Sequence, residues 1–154
     1  MNKKKPWLTL AARAQHYKTV DKQHAVRRTV SELETASTQH ESLQHELQRV
    51  AGLWLQRRQN SQVDAATEAA FCRFHAHLHW GTEDALHAKK EAQRHLELAT
   101  DQLKHSFGSQ KVLQHFVTRV EQQQSRARQA QEQQLTGEAW LLRRKGQETS
   151  GDEP

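Results

Sequence analysis

Apolar residues recur along this chain in alternating steps of three and four. In the second half the series runs Leu96, Ala99, Leu103, Ser106, Gln110, Leu113, Val117, Val120, Gln124, Ala127. In the first half it runs Val26, Val30, Leu33, Ala36, His40, Leu43, Leu47, Val50, Trp54, with one shortened stretch (Val30, Leu33, Ala36) where the register breaks locally. Steps of three and four average about 3.5 residues, which holds one narrow stripe against a partner helix. A helix packed on a globular core carries a broader apolar face. Proline occurs only at Pro6 and Pro154, so nothing between them forbids long helices. The pattern predicts an all-α fold: a long two-helix antiparallel coiled-coil hairpin with a short helical segment at its tip.

Punctuation divides the pattern into three parts. One helix is expected over residues 7–58, with Gly52 near its end a place to fray or bend at about 1 kcal/mol relative to alanine. Residues 59–62 (Gln-Asn-Ser-Gln) form the first break, after which Ser61 or Asp64 can cap a new helix. A tip segment spans 59–81, its helical part holding Phe71, Phe74, Leu78 and Trp80. Gly81 reads as a helix stop and Thr82-Glu83-Asp84 as a new start, a hydroxyl cap followed by acids against the positive dipole end. The second arm is then 82–145, with Gly108 a candidate kink and Gly146 its stop. The hairpin closes at residue 148, and 149–154 are expected as a disordered tail. Folding the arms about the tip segment pairs Val50 with 92–96, Leu33 with Leu113, Val26 with Val120 and Trp7 with Trp140.

Composition agrees with a thin seam. Hydrophobic residues make up 34% of the 154, against about 45–50% in globular domains on a count that includes glycine. That is too few for a thick core and enough for a two-helix stripe. The single cysteine, Cys72, allows no internal disulfide and fits a reducing compartment. No apolar run reaches the roughly 18–20 residues that cross a bilayer, and the opening residues 1–12 read as the start of a helix rather than a leader. The net charge of +5 is uneven: +6 over residues 1–58, −1 over 59–81 and zero over 82–154. A basic first arm invites an acidic protein, a nucleic acid or an anionic surface.

Candidate chemistry is sparse. There is no phosphate loop, dinucleotide fingerprint, nucleophile elbow or spaced cysteine pair, and an open hairpin offers no water-excluding pocket. No catalytic residue, cofactor or metal ligand is therefore assigned. The 11 histidines are the one temptation. On a helix His75 and His79 share a face while His77 points away, and His87, Glu91 and His95 fall on one face. These read as surface or interface histidines. The basic residues are interleaved with Gln, Ala and acids, unlike the dense basic regions of helical nucleic-acid binders, so no nucleic acid is expected. Lys89, Lys90 and Arg94 read the same way. Clustered aromatic and aliphatic side chains weigh more. Leu53, Trp54, Phe71, Phe74, Leu78 and Trp80 form either a local cluster or a protein-binding surface.

The length, the near-absence of proline, the two heptad arms, the basic start Lys3-Lys4-Lys5 and the ending Leu141-Leu142-Arg143-Arg144-Lys145 resemble one family. They are similar to the small stalk proteins of type III secretion systems, the flagellar FliJ type and the injectisome YscO type. The resemblance spans nearly the whole chain and is architectural, carried by no catalytic signature. It implies a non-enzymatic cytoplasmic stalk at the inner-membrane secretion apparatus, without membrane insertion. The end bearing both termini would enter a hexameric export ATPase, and another part would reach the cytoplasmic domain of the export gate and export chaperones. Carried over by position, Lys3, Lys4, Lys5, Trp7, Arg13, Trp140, Arg143 and Arg144 would face the ATPase. Leu53, Trp54, Phe71, Phe74, Leu78 and Trp80 would face the gate or chaperones. The rival readings are a generic coiled-coil adaptor or dimerisation protein and, behind it, a basic helical nucleic-acid binder.

Overall fold

The computed structural model describes residues 6–60 and 63–149, with side chains described through Lys145. Two helices account for them: α1, Pro6–Asn60, and α2, Ala65–Thr149. They pack against each other as an all-α helical hairpin. Pro6 opens α1, where its missing N–H costs nothing and its fixed φ suits the first turn. Asp64 opens α2. Its Oδ1 accepts the Thr67 amide at 2.7 Å and its carbonyl accepts the Glu68 amide at 3.0 Å, which satisfies donors that a helix start otherwise leaves unpaired.

The Thr67 hydroxyl, and then the Thr67 amide, hold the Asp64 carboxyl below the ordinary carboxylate range. A carboxyl whose folded-state pKa is lowered contributes stability above its unfolded value and loses it as pH falls through the folded one. The protection of the amides over residues 65–70, taken relative to their intrinsic exchange rates, should therefore fall as pH drops below about 4. Asp64→Asn, measured by the same exchange, should leave no such pH step.

The separate tip helix is not there. α2 runs without a break from Ala65 through Gly81 and Thr82 to Thr149, so the second arm begins at residue 65 and not at 82. Gly81 lies inside the helix facing α1, and the Thr82 hydroxyl donates to the Leu78 carbonyl at 2.8 Å rather than capping anything. No glycine among the described residues has a positive φ, and α2 likewise continues through Gly108 and Gly146. Residues 150–154 of the expected tail, and Ser61 as the rival cap, lie outside the described residues, while Thr149 closes α2. A Cβ on Gly81 would meet only Leu43 Cδ1, at 3.9 Å, an ordinary contact. Gly81→Ala should thus stabilise the fold by about 0.5–1 kcal/mol, by removing backbone freedom from the unfolded chain. A urea melt at unchanged slope checks it.

Packing divides the chain into two compact units, Ala14–Gly108 and Met1–Arg13 with Ser109–Pro154. In the first, the seam on α1 is Gln15, Thr19, Lys22, Val26, Thr29, Leu33, Ala36, His40, Leu43, Leu47, Val50 and Trp54, all buried or half-buried. Thr29 holds the place expected of Val30, which is exposed. Its hydroxyl is satisfied by the Val26 carbonyl at 2.9 Å, so a threonine sits in the seam without an orphaned polar group. The alternation of three and four consequently runs unbroken, and the local break in register disappears.

On α2 the same unit buries Leu78, Ala85, Ala92, Ala99 and Ser106, one residue per heptad. Contacts between the helices fix the pairing. The Trp54 and Phe71 rings stack at 4.2 Å and 3°, and the Thr19 and Ser106 hydroxyls share a hydrogen bond at 2.8 Å. Five heptads separate these contacts on each helix. Val26, Leu33, His40 and Leu47 therefore stand level with Ala99, Ala92, Ala85 and Leu78, and Val50 with His75. The expected partners of Leu33, Val26 and Val50 are corrected accordingly, by three heptads. The physical reason is that the chain turns between Asn60 and Ala65, not around a helical tip ending at Gly81.

Candidate functional site

Within the unit Met1–Arg13 with Ser109–Pro154, the two helices contribute very unequal lengths. Described α1 residues number eight, 6–13, a span of about 12 Å, against about 60 Å for α2 residues 109–149. Leu8 is the buried anchor on α1. On α2 the seam continues through Gln110, Leu113, Val117, Val120 and Gln124, and there it ends. Every residue from Ser125 to Lys145 is exposed. Ala127, the last member of the predicted seam, belongs to this exposed stretch.

The sequence of the projecting stretch suits a helix that no other helix covers among the described residues. Extending the seam past Ala127 reaches Gln131, Gln134, Glu138 and only then Leu141, three polar residues in succession. Its other large apolar residues, Leu135, Trp140 and Leu142, stand off that line, and with Leu141 all four are more than half exposed, Leu142 at 71%. At 100° per residue, Trp140, Leu141 and Leu142 point in three directions around the helix. Leu135 and Leu142 share a face, two turns apart. Arg144 lies over the Trp140 ring at 5.6 Å, and Arg143 lines the same open hollow as Leu135, Thr136, Ala139 and Trp140. Such a cation over an indole adds about 0.5–1 kcal/mol at an exposed site.

Of the residues expected at the terminal end, the structure groups Trp140, Arg143 and Arg144. Lys3, Lys4 and Lys5 lie outside the described residues. Trp7 and Arg13 are exposed on α1 but are not at the level of Trp140. The α2 seam ends at Gln124, and Trp140 is on the order of 24 Å further along the helix. The expected Trp7–Trp140 pairing is corrected for the same reason as the others, since the turn falls earlier in the chain. Leu135, Leu141 and Leu142 were missing from the expected site. The signal was legible for two of them: Leu135 and Leu142 appear off the seam just where the seam turns polar.

At the turn end, six residues were expected to form either a local cluster or a binding surface, and the structure divides them between packed and exposed positions. Leu78 is a buried seam residue and Trp54 and Phe71 spend one face each on their stack. The stack is worth about 0.5–1.5 kcal/mol beyond the area it buries. His75 extends it, tilted at 5.5 Å from Phe71. Leu53, Phe74 and Trp80 remain exposed, Trp80 at 71%. The Arg58–Glu68 ion pair that joins the helices here, at 3.6 Å, is too solvated to contribute much.

Among the described residues no three His, Cys, Asp or Glu side chains are placed to share a metal ion. Glu91, between His87 and His95, instead accepts from Arg94 at 2.6 Å. No described helix is long and apolar enough to cross a membrane. Compared with protein-family models, curated proteins and solved structures, the chain matches none of them.

Proposed function

We propose that this chain is a non-enzymatic cytoplasmic stalk of a type III secretion system, engaging a hexameric export ATPase and linking it to the export gate and its chaperones. The observation that carries the reading is the bare stretch of α2. A helix with large apolar side chains on several sides is unstable as a free surface and suited to being surrounded by a partner. The arrangement of Trp140, Leu141 and Leu142, followed by Arg143 and Arg144, is what a helix end entering a protein socket needs. The architectural resemblance supplies the identity of the socket, an ATPase ring. The exposed Leu53, Phe74 and Trp80 are the surface assigned to the gate or chaperones, since aromatic anchors dominate such interfaces.

The test is co-elution of the purified chain with a cognate hexameric export ATPase, together with stimulation of ATP hydrolysis. Both should be clearest at low salt, where charge attraction is least screened. Absence of binding at low salt would overturn the assignment.

A further inference from the structure

We propose that the Gln15–Thr19–Ser106 layer is a register lock, a device that, together with the position of the turn, selects one pairing of the two helices among several that the apolar seam would accept. The seam of the unit Ala14–Gly108 does not discriminate by itself. Ala85, Ala92 and Ala99 recur at heptad intervals on α2. A slip by one heptad moves Leu33 from Ala92 to Ala99, His40 from Ala85 to Ala92, and Leu47 from Leu78 to Ala85. Large residues still meet alanines. Trp54 exchanges the Phe71 ring for Leu78, an apolar partner in both cases.

The polar layer is different. Thr19 and Ser106 are 2% and 8% exposed, and each hydroxyl finds the other at 2.8 Å. The Gln15 amide nitrogen donates to the Ser106 carbonyl at 3.2 Å and to its hydroxyl at 3.3 Å, while the Thr19 hydroxyl also meets the Gln15 carbonyl at 3.0 Å. One helical turn on, Lys22 donates to Gln102 at 2.8 Å. A one-heptad slip sets Ser106 against Val26 and removes every hydrogen bond between the helices in this layer. The Thr19 hydroxyl keeps the Gln15 carbonyl of its own helix, but the Ser106 hydroxyl and the Gln15 amide lose the partners they have across the seam, a loss penalised far more than a change of apolar neighbour. A polar pair inside an apolar seam is thus a weak source of stability and a strong source of register.

The experiment uses the full chain carrying Cys72→Ser and reads two engineered cysteine pairs under mild oxidation. Leu33→Cys with Ala92→Cys reports the observed register, and Leu33→Cys with Ala99→Cys reports the slipped one. In the parent only the first pair should close within a monomer. With Thr19→Val and Ser106→Ala added, which keep shape and remove the hydroxyls, the slipped disulfide should rise by about tenfold or more. The melting temperature should hold or increase, and Gln15→Leu added to these two should enlarge the effect. A slipped pair that stays closed to oxidation in both variants overturns the proposal. So does a loss of helicity, which would make the layer a source of stability rather than of register.

Discussion

Ala92→Asp should unfold the unit Ala14–Gly108 at temperatures where the parent is fully helical. Ala92 is buried in the middle of the seam, level with Leu33, and the alanines at 85, 92 and 99 are what let the helices approach closely. A carboxylate there stands level with Leu33 rather than with a cation, and must desolvate, protonate or push the helices apart. Removing a buried residue's fit and adding an unpaired charge together cost about 3 kcal/mol or more. The loss is large relative to a chain whose described core holds few buried apolar side chains and none that is fully buried. Circular dichroism and a urea melt measure it. Gln93→Asp, one residue further on an exposed position, should change stability by no more than about 0.5 kcal/mol. Equal effects at 92 and 93 would mean that the seam has been placed on the wrong face.

The second large effect separates binding from folding. Leu135→Glu with Leu142→Glu should leave the melting temperature of the free chain unchanged, because both side chains are exposed and off the seam. The same variant should weaken the proposed association with an export ATPase by about tenfold or more, the loss expected when apolar anchors of an interface are removed. Trp140→Ala should act in the same direction and also remove the surface under Arg144. Thermal melts and binding isotherms on the same samples decide it. Unchanged affinity in both variants would take the projecting part of α2 out of the proposed contact, and a lowered melting temperature would mean that it packs on something within the chain.

Much of the architecture was legible in the sequence. Nine of the ten seam positions read on the second helix are buried or half-buried, Ala127 being the exception. What could not be read was the pairing. Heptads look alike, so sliding one helix by whole heptads keeps apolar residues in line. The expected pairs Leu33–Leu113 and Val26–Val120 are an offset of that kind, three heptads from the observed register. The choice between registers depends on two particulars that periodicity does not encode, the position of the turn and the Thr19–Ser106 hydrogen bond. The turn was misplaced because Gly81-Thr82-Glu83-Asp84 carries the chemistry of a helix stop and start. Inside a packed hairpin Gly81 simply continues the helix beside Leu43, and the Thr82 hydroxyl turns back to its own helix. Val30 misled in a similar way. Hydropathy favours valine over threonine, yet Thr29 occupies the seam because its hydroxyl is satisfied locally. In the projecting stretch Trp140, Arg143 and Arg144 were among the expected residues, but setting them beside Trp7 depended on the offset register.

The most direct measurement is a distance between spin labels on the outer faces of the two helices, at Ser31→Cys and Arg94→Cys in the Cys72→Ser background. Labelled protein is diluted into unlabelled protein so that only pairs within one chain contribute. These positions are level in the observed hairpin. The helix diameter and the spacing of packed helices then predict one narrow distribution on the order of 20–30 Å. A three-heptad offset would add about 30 Å of displacement along the helix axis and lengthen the distance well beyond that range. A signal that vanishes on dilution would mean that the helices pair between chains. Either result would contradict the hairpin described here.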